Sequence, residues 1–449
     1  MYNTKMSSRT KKAIVILVAI LGLVAIGIGV YFGIQNAKQS IIPGSQSSQG
    51  SGGTLGTQGQ AGQSAGASQG GSFPVSSSGN QGSGGTLGTQ GQAGQSAGAF
   101  QSQKNNLFQL STHPAAVYWV VSSTSTTSTT AVSGILHTGV YYMDTNGTIF
   151  QIQDVGSEQM IAGSSLGVPL RLWQNSDGSK IVVLFSGVDQ GADATTSQSS
   201  GQYALFRLTT KAWEILPQGT VSVAFSPDGK RLALLRQTGG TTSLYVTNIA
   251  TARETTTLIA SLAIVDVTIA WPSPNKIYFV PRTASSIDSQ AWYIDPTTKN
   301  MAYFGHGLGL QLVFSPARPY SVLQFVSSLD ASSVSLSIDD STGAMLQTLS
   351  LQTIAEKCSF SSNGQAIFCA VPRENNKSNG DPLSLPDDFL QRAAYFHDNL
   401  YEIKGSAIST LVNAPDVLFD IVDIKSTPSQ LFFMNRLDHT IYLYNLPNS

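Results

Sequence analysis

The chain has 449 residues and a formal net charge of −1, but the charge is unevenly placed. Residues 1–103 contain no Asp or Glu and only five of the 25 basic residues, which leaves 20 basic against 26 acidic side chains beyond them, a net of −6. An acidic balance in the larger part argues against nucleic acid or anionic lipid as a partner, because both demand a basic face.

Residues 13–34 (AIVILVAILGLVAIGIGVYFGI) are uncharged and almost wholly apolar. Twenty-two such residues suffice to cross the roughly 30 Å hydrocarbon core as a helix. A cleavable signal would have a shorter apolar region and a small-x-small site after it, and only a poor one follows near Asn36-Ala37. The run is therefore expected to remain as a single-pass anchor. Lys5, Arg9, Lys11 and Lys12 precede it, and Lys38 is the one basic residue between it and Lys104, so residues 1–12 are expected in the cytoplasm and the rest outside.

Residues 35–103 are Gly, Ser, Gln, Ala and Thr with little else. The stretch QGSGGTLGTQGQAGQSAGA occurs twice without change, at 49–67 and at 81–99. Such a composition buries too little surface to offset backbone entropy and should be disordered. As a Gly-rich coil it would span roughly 45 Å, a length suited to a stalk. Self-association of a Gln/Gly-rich tract is the alternative, but aromatic residues are nearly absent from it.

From Lys104 to Ser449 the pattern changes to short β-branched and aromatic runs between turn residues, an all-β signature. A strand, a Ser/Pro/Asp/Gly-type turn and a second strand recur at 110–120, 173–184, 225–235, 271–280, 314–325, 360–370 and 424–434. A further strand pair follows each, as in 243–259, 291–304 and 399–412. Four strands per period of about 40–50 residues predict a β-propeller, and seven units predict seven blades. The last unit ends after its third strand (440–446), so a strand near Asn106–Leu110 is expected to complete it and close the ring.

FSPDGKRLALL (225–235) resembles the central segment of WD40-like repeats of the TolB type, and the other units resemble it more distantly. The Trp-Asp dipeptide that ends a WD40 blade is absent, and no α/β domain precedes the propeller. The resemblance implies the fold and, by analogy alone, a role in envelope complexes.

Motifs that could carry chemistry have simpler readings. GSSLG (163–167) fits G-x-S-x-G, but so do stretches of the stalk such as 62–66 and 66–70, and the elbow around Ser165 would need a strand-turn-helix in an α/β fold. Asp144-Thr-Asn146-Gly147 lies between two strands, where Asn-Gly is a turn dipeptide, and lacks the spaced ligands of a calcium loop. The five histidines are scattered, and the five tryptophans fall in strands, where core packing is the default. No catalytic site, cofactor or metal is expected.

Loop length is more informative. The turns between first and second strands read as tight, whereas the loops between second and third strands read as long in blade one (122–139), blade two (186–202) and blade six (372–398). Long loops on a rigid scaffold are where binding concentrates. In blade six, Pro386, Asp387 and Asp388 are placed as a helix start. Phe389, Leu390, Ala393 and Phe396 would then form an apolar stripe that either folds onto the propeller or meets a partner. Asp387, Asp388, Phe389, Leu390, Arg392 and Phe396 are the candidate partner-binding residues. The expectation is a binding or scaffold module for protein or glycan in the cell envelope; the alternative is an envelope enzyme or sugar-active propeller with a dispersed site.

Cys358 and Cys369 are the only cysteines. In blade three, alternation sets Val223 opposite Leu234 and Phe225 opposite Leu232. Aligning Phe360 with Phe225 then sets Cys358 opposite Cys369, where Cα atoms about 4.5–5.5 Å apart allow a disulfide. An extracytoplasmic location permits the bond, and two buried free thiols are the alternative.

Overall fold

The structure, a computed structural model, describes residues 106–447 apart from 122–135, 137, 187–200, 251–254, 265, 318–319, 329–332, 375–380, 382 and 414–416. The expected anchor 13–34 and stalk 35–103 lie outside the described residues. Among the described residues no helix is long and apolar enough to cross a membrane.

Strand β1 (Leu107–Gln109) opens the domain, and six sheets follow in chain order. Blade one is β2 (Val117–Val121), β3 (Gly139–Met143), β4 (Ile149–Asp154) and β5 (Ser157–Ala162). Blade two is β6 (Pro169–Gln174), β7 (Lys180–Phe185), β8 (Gln202–Arg207) and β9 (Ala212–Ile215). Blade three is β10 (Thr220–Phe225), β11 (Arg231–Thr238), β12 (Thr241–Asn248) and β13 (Thr256–Leu262). Blade four is β14 (Val267–Ser273), β15 (Lys276–Pro281), β16 (Asp288–Ile294) and β17 (Met301–Leu308). Blade five is β18 (Gln311–Phe314), β19 (Val322–Ser327), β20 (Val334–Asp339) and β21 (Met345–Leu349). Blade six is β22 (Cys358–Phe360), β23 (Ile367–Pro372), β24 (Asp398–Lys404) and β25 (Ala407–Val412), with a one-turn helix α1 (Asp387–Leu390) between β23 and β24. Blade seven is β26 (Ile421–Ser426), β27 (Gln430–Asn435), β28 (Thr440–Asn445) and, on its outer edge, β1. Every pairing is antiparallel, and the fold is the expected seven-bladed propeller.

Both faces of each blade are buried against neighbours, which explains runs such as Ile181–Phe185 that are apolar without alternation. Period-two geometry splits such a run between two interfaces. Ile181, Val183 and Phe185 pack toward blade one with Trp119, whereas Val182 packs toward blade three with Val223 and Phe225. Seven clusters of this kind separate the seven blades. The one between blades seven and one joins Phe432, Ile441 and Leu443 to Leu110, Tyr118 and Val140. There β1 pairs with β28, Leu107 opposite Tyr444 and Gln109 opposite Tyr442, so the two ends of the domain share a sheet as expected.

The tight turns repeat one device. The Ser226 hydroxyl accepts from Arg231 N at 2.9 Å and donates to Asp228 Oδ1 at 2.5 Å, and Gly229 takes φ 64°. In blade six, the Ser361 hydroxyl accepts from Ala366 N at 2.9 Å and donates to Asn363 Oδ1 at 2.7 Å, with Gly364 at φ 71°. This shared chemistry keeps Phe225 and Phe360 equivalent. Val223 opposes Leu234, and Cys358 opposes Cys369 with Cα atoms 4.1 Å apart and the sulfurs bonded.

Blade one differs from expectation. Its inner strand is β2, so segment 122–138 joins first and second strands and leaves from the opposite face to the long connections of blades two and six. The cause lies in the 110–120 unit, which reads as two strands about a turn but contains only β2, the strand before it being β1 of blade seven.

Ser165 is exposed in the connection from β5 to β6, with no helix after it. Asp144 Oδ1 accepts from Asn146 N at 2.9 Å and Thr148 N at 2.8 Å, a closed turn between β3 and β4.

Candidate binding site at the channel mouth

The first strands of the blades stand around a central channel. Because strands alternate in direction, starts of first strands and connections between second and third strands share one face, here called the long-loop face. Turns between first and second strands share the other. A cavity of about 860 Å³ runs between the two, walled by β6, β10, β14 and β18 and by Glu356 and Leu390 from blade six.

The wall is polarised. At the long-loop end lie Arg171 near the start of β6, Tyr203 near the start of β8, Arg282 just after β15, Gln311 at the start of β18, and Glu356. The Arg171 guanidinium stands 5.3 Å from the Trp173 ring centroid. Both Arg171 and Arg282 are exposed, and neither has an ion pair among the described residues. Burial raises the Tyr203 phenol above its ordinary value while both guanidinium groups pull it down, so both fields converge on that ring. Glu356 faces the channel lumen yet is ringed by protein. That enclosure holds its carboxyl above the usual range against the pull of Arg171. At the other end lie Phe225, Trp271 and Phe314 with the turn residues Ser226, Pro227, Ser315 and Pro316.

The blade-six insertion crosses the long-loop face. Asp387 accepts from Ser285 N at 2.9 Å and Ser285 Oγ at 2.6 Å, which ties it to blade four. Arg436 of blade seven donates to the Phe389 carbonyl at 3.1 Å and the Ala394 carbonyl at 2.7 Å. Beneath it sits a buried ion cluster. Lys357 Nζ is 2.7 Å from Asp398 Oδ2 and 2.8 Å from Asp420 Oδ1, and Arg436 donates to Asp420 Oδ2 at 2.6 and 2.8 Å. Lys357 Nζ stands 4.8 Å from the Phe396 ring centroid and 5.3 Å from that of Phe389. Burial pushes the Asp398 carboxyl up to about 6 against the opposing pull of Lys357, and its Oδ1 has no partner among the described residues.

The expected longer helix is corrected. α1 ends at Leu390, and Arg392 at φ 55° turns the chain, so no stripe at i+4 and i+7 forms. Phe396 and Asp388 are buried, Phe389 is half-buried, and Asp388 accepts from Ser384 N at 2.7 Å. Only Leu390 and Arg392 of the six candidates are exposed. The structure adds Tyr395, and from other loops Val168, Ile287, Leu418 and Leu437, all 38–59 % exposed and all on the long-loop face. These four are isolated residues in unrelated turns, and their grouping on one face follows from strand direction, which no single turn reveals.

The tryptophans also divide. Trp119 and Trp271 are buried between blades, and Trp213 packs on Phe185 and Phe206. Trp173 lines the channel, and Trp292 is exposed on the rim against Tyr303. His113 pairs with Glu158 at 2.7 Å and His306 with Asp288 at 3.0 Å. Among the described residues no three His, Cys, Asp or Glu side chains are grouped to hold a metal.

No family model matches the sequence, and no curated protein does. Solved structures with a similar fold include the propeller domain of the trilobed protease from Pyrococcus furiosus, at 13 % identity over 63 % of this chain and 82 % of that one, TM-score 0.42. The propeller domain of Cps50 (Swd1) from Myceliophteria thermophila is 9 % identical over 76 % of this chain and 99 % of that one, TM-score 0.46. TolB from Acinetobacter baumannii is 14 % identical over 67 % of this chain and 60 % of that one, TM-score 0.37. The chain is a seven-bladed β-propeller, similar in architecture alone to TolB and the other propellers named.

Proposed function

We propose that this protein is a non-enzymatic binding module, held outside the cytoplasm by the 13–34 anchor and the 35–103 stalk, that engages a partner of the cell envelope through its long-loop face. One observation carries the reading: exposed apolar side chains from blades two, four, six and seven (Val168, Ile287, Leu390, Tyr395, Leu418 and Leu437) lie on loops of that face, and Leu390 among them lines the channel. Apolar groups collected on one face of a soluble domain mark interaction surfaces. Their aliphatic and aromatic character favours a protein partner over a glycan, with the rigid blades supplying a preformed surface. The alternative of a dispersed enzyme site would favour several carboxylates in the channel, whereas Glu356 is the one carboxyl in the described cavity wall.

The test is site-specific photo-crosslinking in intact cells, with the full chain carrying a photoreactive residue at Leu390, Tyr395 or Leu437, or at Asp228 or Asn363 on the opposite face. Discrete adducts should form from the first three positions and not from the last two. Adducts confined to Asp228 and Asn363, or none from any position, would overturn the assignment of the face.

A further inference from the structure

The charged end of the channel has a chemistry that the apolar collar does not use. Arg171 and Arg282 come from different blades, face the same cavity, act on the same Tyr203 ring, and have no ion pair among the described residues. Glu356 stands in the same wall and feels the pull of Arg171, but it forms no ion pair among the described residues and its carboxyl is held above the usual range. Two guanidinium groups therefore face one weakly acidic carboxyl, and the site favours a further counter-charge. The Arg171 guanidinium lies over the Trp173 ring, 5.3 Å from its centroid, and a guanidinium can meet an oxyanion bidentately through its N–H fork. A further donor at this end of the cavity wall, Gln311 Nε2, is buried without a hydrogen-bond partner among the described residues. This end of the wall therefore offers unpaired donors beside aromatic surface from Trp173 and Tyr203. The cavity volume of about 860 Å³ is within the range of small-molecule sites.

We propose that the long-loop end of the channel is a binding site for a small anionic ligand, one whose carboxylate or phosphate is held between Arg171 and Arg282 while a flat or apolar body lies along Trp173 and Tyr203. The anion displaces water from two guanidinium groups that are already positioned, so little ordering is needed on binding. The collar and the channel meet at Leu390, but the anion site rests on none of the collar's apolar side chains and would stand even if the partner surface lay elsewhere.

The experiment is saturation-transfer NMR on the full-length chain in nanodiscs of neutral lipid, with benzoate, phenyl phosphate and benzamide as probes. Benzoate or phenyl phosphate should bind with a dissociation constant on the order of 1 mM, as befits so small a fragment. Benzamide, isosteric with benzoate but uncharged, should bind at least about tenfold more weakly, the loss of one charge-assisted contact. Arg171→Gln and Arg282→Gln should each weaken the anionic probe by about tenfold or more, Arg171→Lys should lose less than Arg171→Gln, and Lys230→Gln on the opposite face should change nothing. Displacement by inorganic phosphate but not acetate identifies a phosphate site, and the reverse identifies a carboxylate site. Equal binding of benzamide, unchanged affinity in Arg282→Gln, or no saturable probe below about 10 mM would each overturn the proposal. Melting curves of the variants separate a lost site from a lost fold.

Discussion

Replacing Lys357 with Met removes the central cation of the buried cluster while keeping most of the side-chain volume, and its cost can be worked from the geometry. Asp420 keeps two contacts from Arg436, but Asp398 is left with the Ile421 N–H at 2.7 Å as its named donor. Breaking a buried ion pair on one side costs about 3–5 kcal/mol. At roughly 2 °C per kcal/mol for a domain of this size, the melting temperature at pH 7.5 should fall by about 6–10 °C. The sign of the pH dependence follows from Asp398, whose carboxyl is raised to about 6 from an ordinary 3.8. The folded domain holds that proton more tightly than the unfolded chain. The gap is worth about 3 kcal/mol, fully present below pH 3.8 and lost as pH rises through about 6. Without Lys357 the carboxyl rises further, so the variant escapes its penalty by taking up a proton. The deficit should be largest at pH 7.5 and shrink by about half or more at pH 5. Calorimetry at the two pH values decides it, with Asp398→Asn in the Lys357→Met background expected to recover much of the loss. A deficit of the same size at both pH values, or none at pH 7.5, would refute the assignment of the cost to an uncompensated Asp398.

Two other outcomes can be checked directly. Alkylation of the denatured, unreduced protein should label neither Cys358 nor Cys369, and reduction should lower stability by about 2–3 kcal/mol for so short a loop; two labelled thiols in unreduced protein would show that the pair is not bridged in the cell. Protease added to intact spheroplasts should remove the propeller and leave a membrane-bound stub that begins at Met1, whereas a mature N-terminus beyond Ala37 would replace the anchor with a cleaved signal.

The propeller was legible in the sequence because its blades repeat a local device. The Ser-x-Asp/Asn-Gly turn of Ser226–Gly229 and Ser361–Gly364 carries its own hydrogen bonds, so recognising it fixes the register of the two strands beside it. From one such turn the pairing of Cys358 with Cys369 follows. The closing strand near Asn106–Leu110 was legible too, because the last unit lacks its fourth strand, and β1 does pair with β28. What depends on distant elements was legible only in part: 110–120 was also read as the first strand pair of blade one, because a strand shows its local pattern and not its partner, and this misplaced the 122–138 segment. The insertion misled for a similar reason: Phe389 and Phe396 have helix-like spacing but are held by Lys357 and Arg436, which lie 32 residues or more away in the chain. Arg171, Arg282 and Glu356 come from three blades with no common motif, and only ring closure brings them to one end of the channel.

The same insertion decides both the stiffness and the chemistry of the long-loop face. Its Asp387 is bonded to blade four, its carbonyls at Phe389 and Ala394 to blade seven, and its own strands belong to blade six, so a single segment joins three blades. Such a strap resists the relative motion of blades that an open ring would allow, and Leu390 is carried with it to the channel wall while Tyr395 stays exposed on the face. The aromatic rings of Phe389 and Phe396 lie over Lys357 and Arg436 and cover part of the ion cluster that holds the buried Asp398. Burial of that charge and exposure of Leu390 and Tyr395 are therefore two consequences of one folded strap. A perturbation that lifts it should hydrate Asp398 and rearrange the channel mouth together.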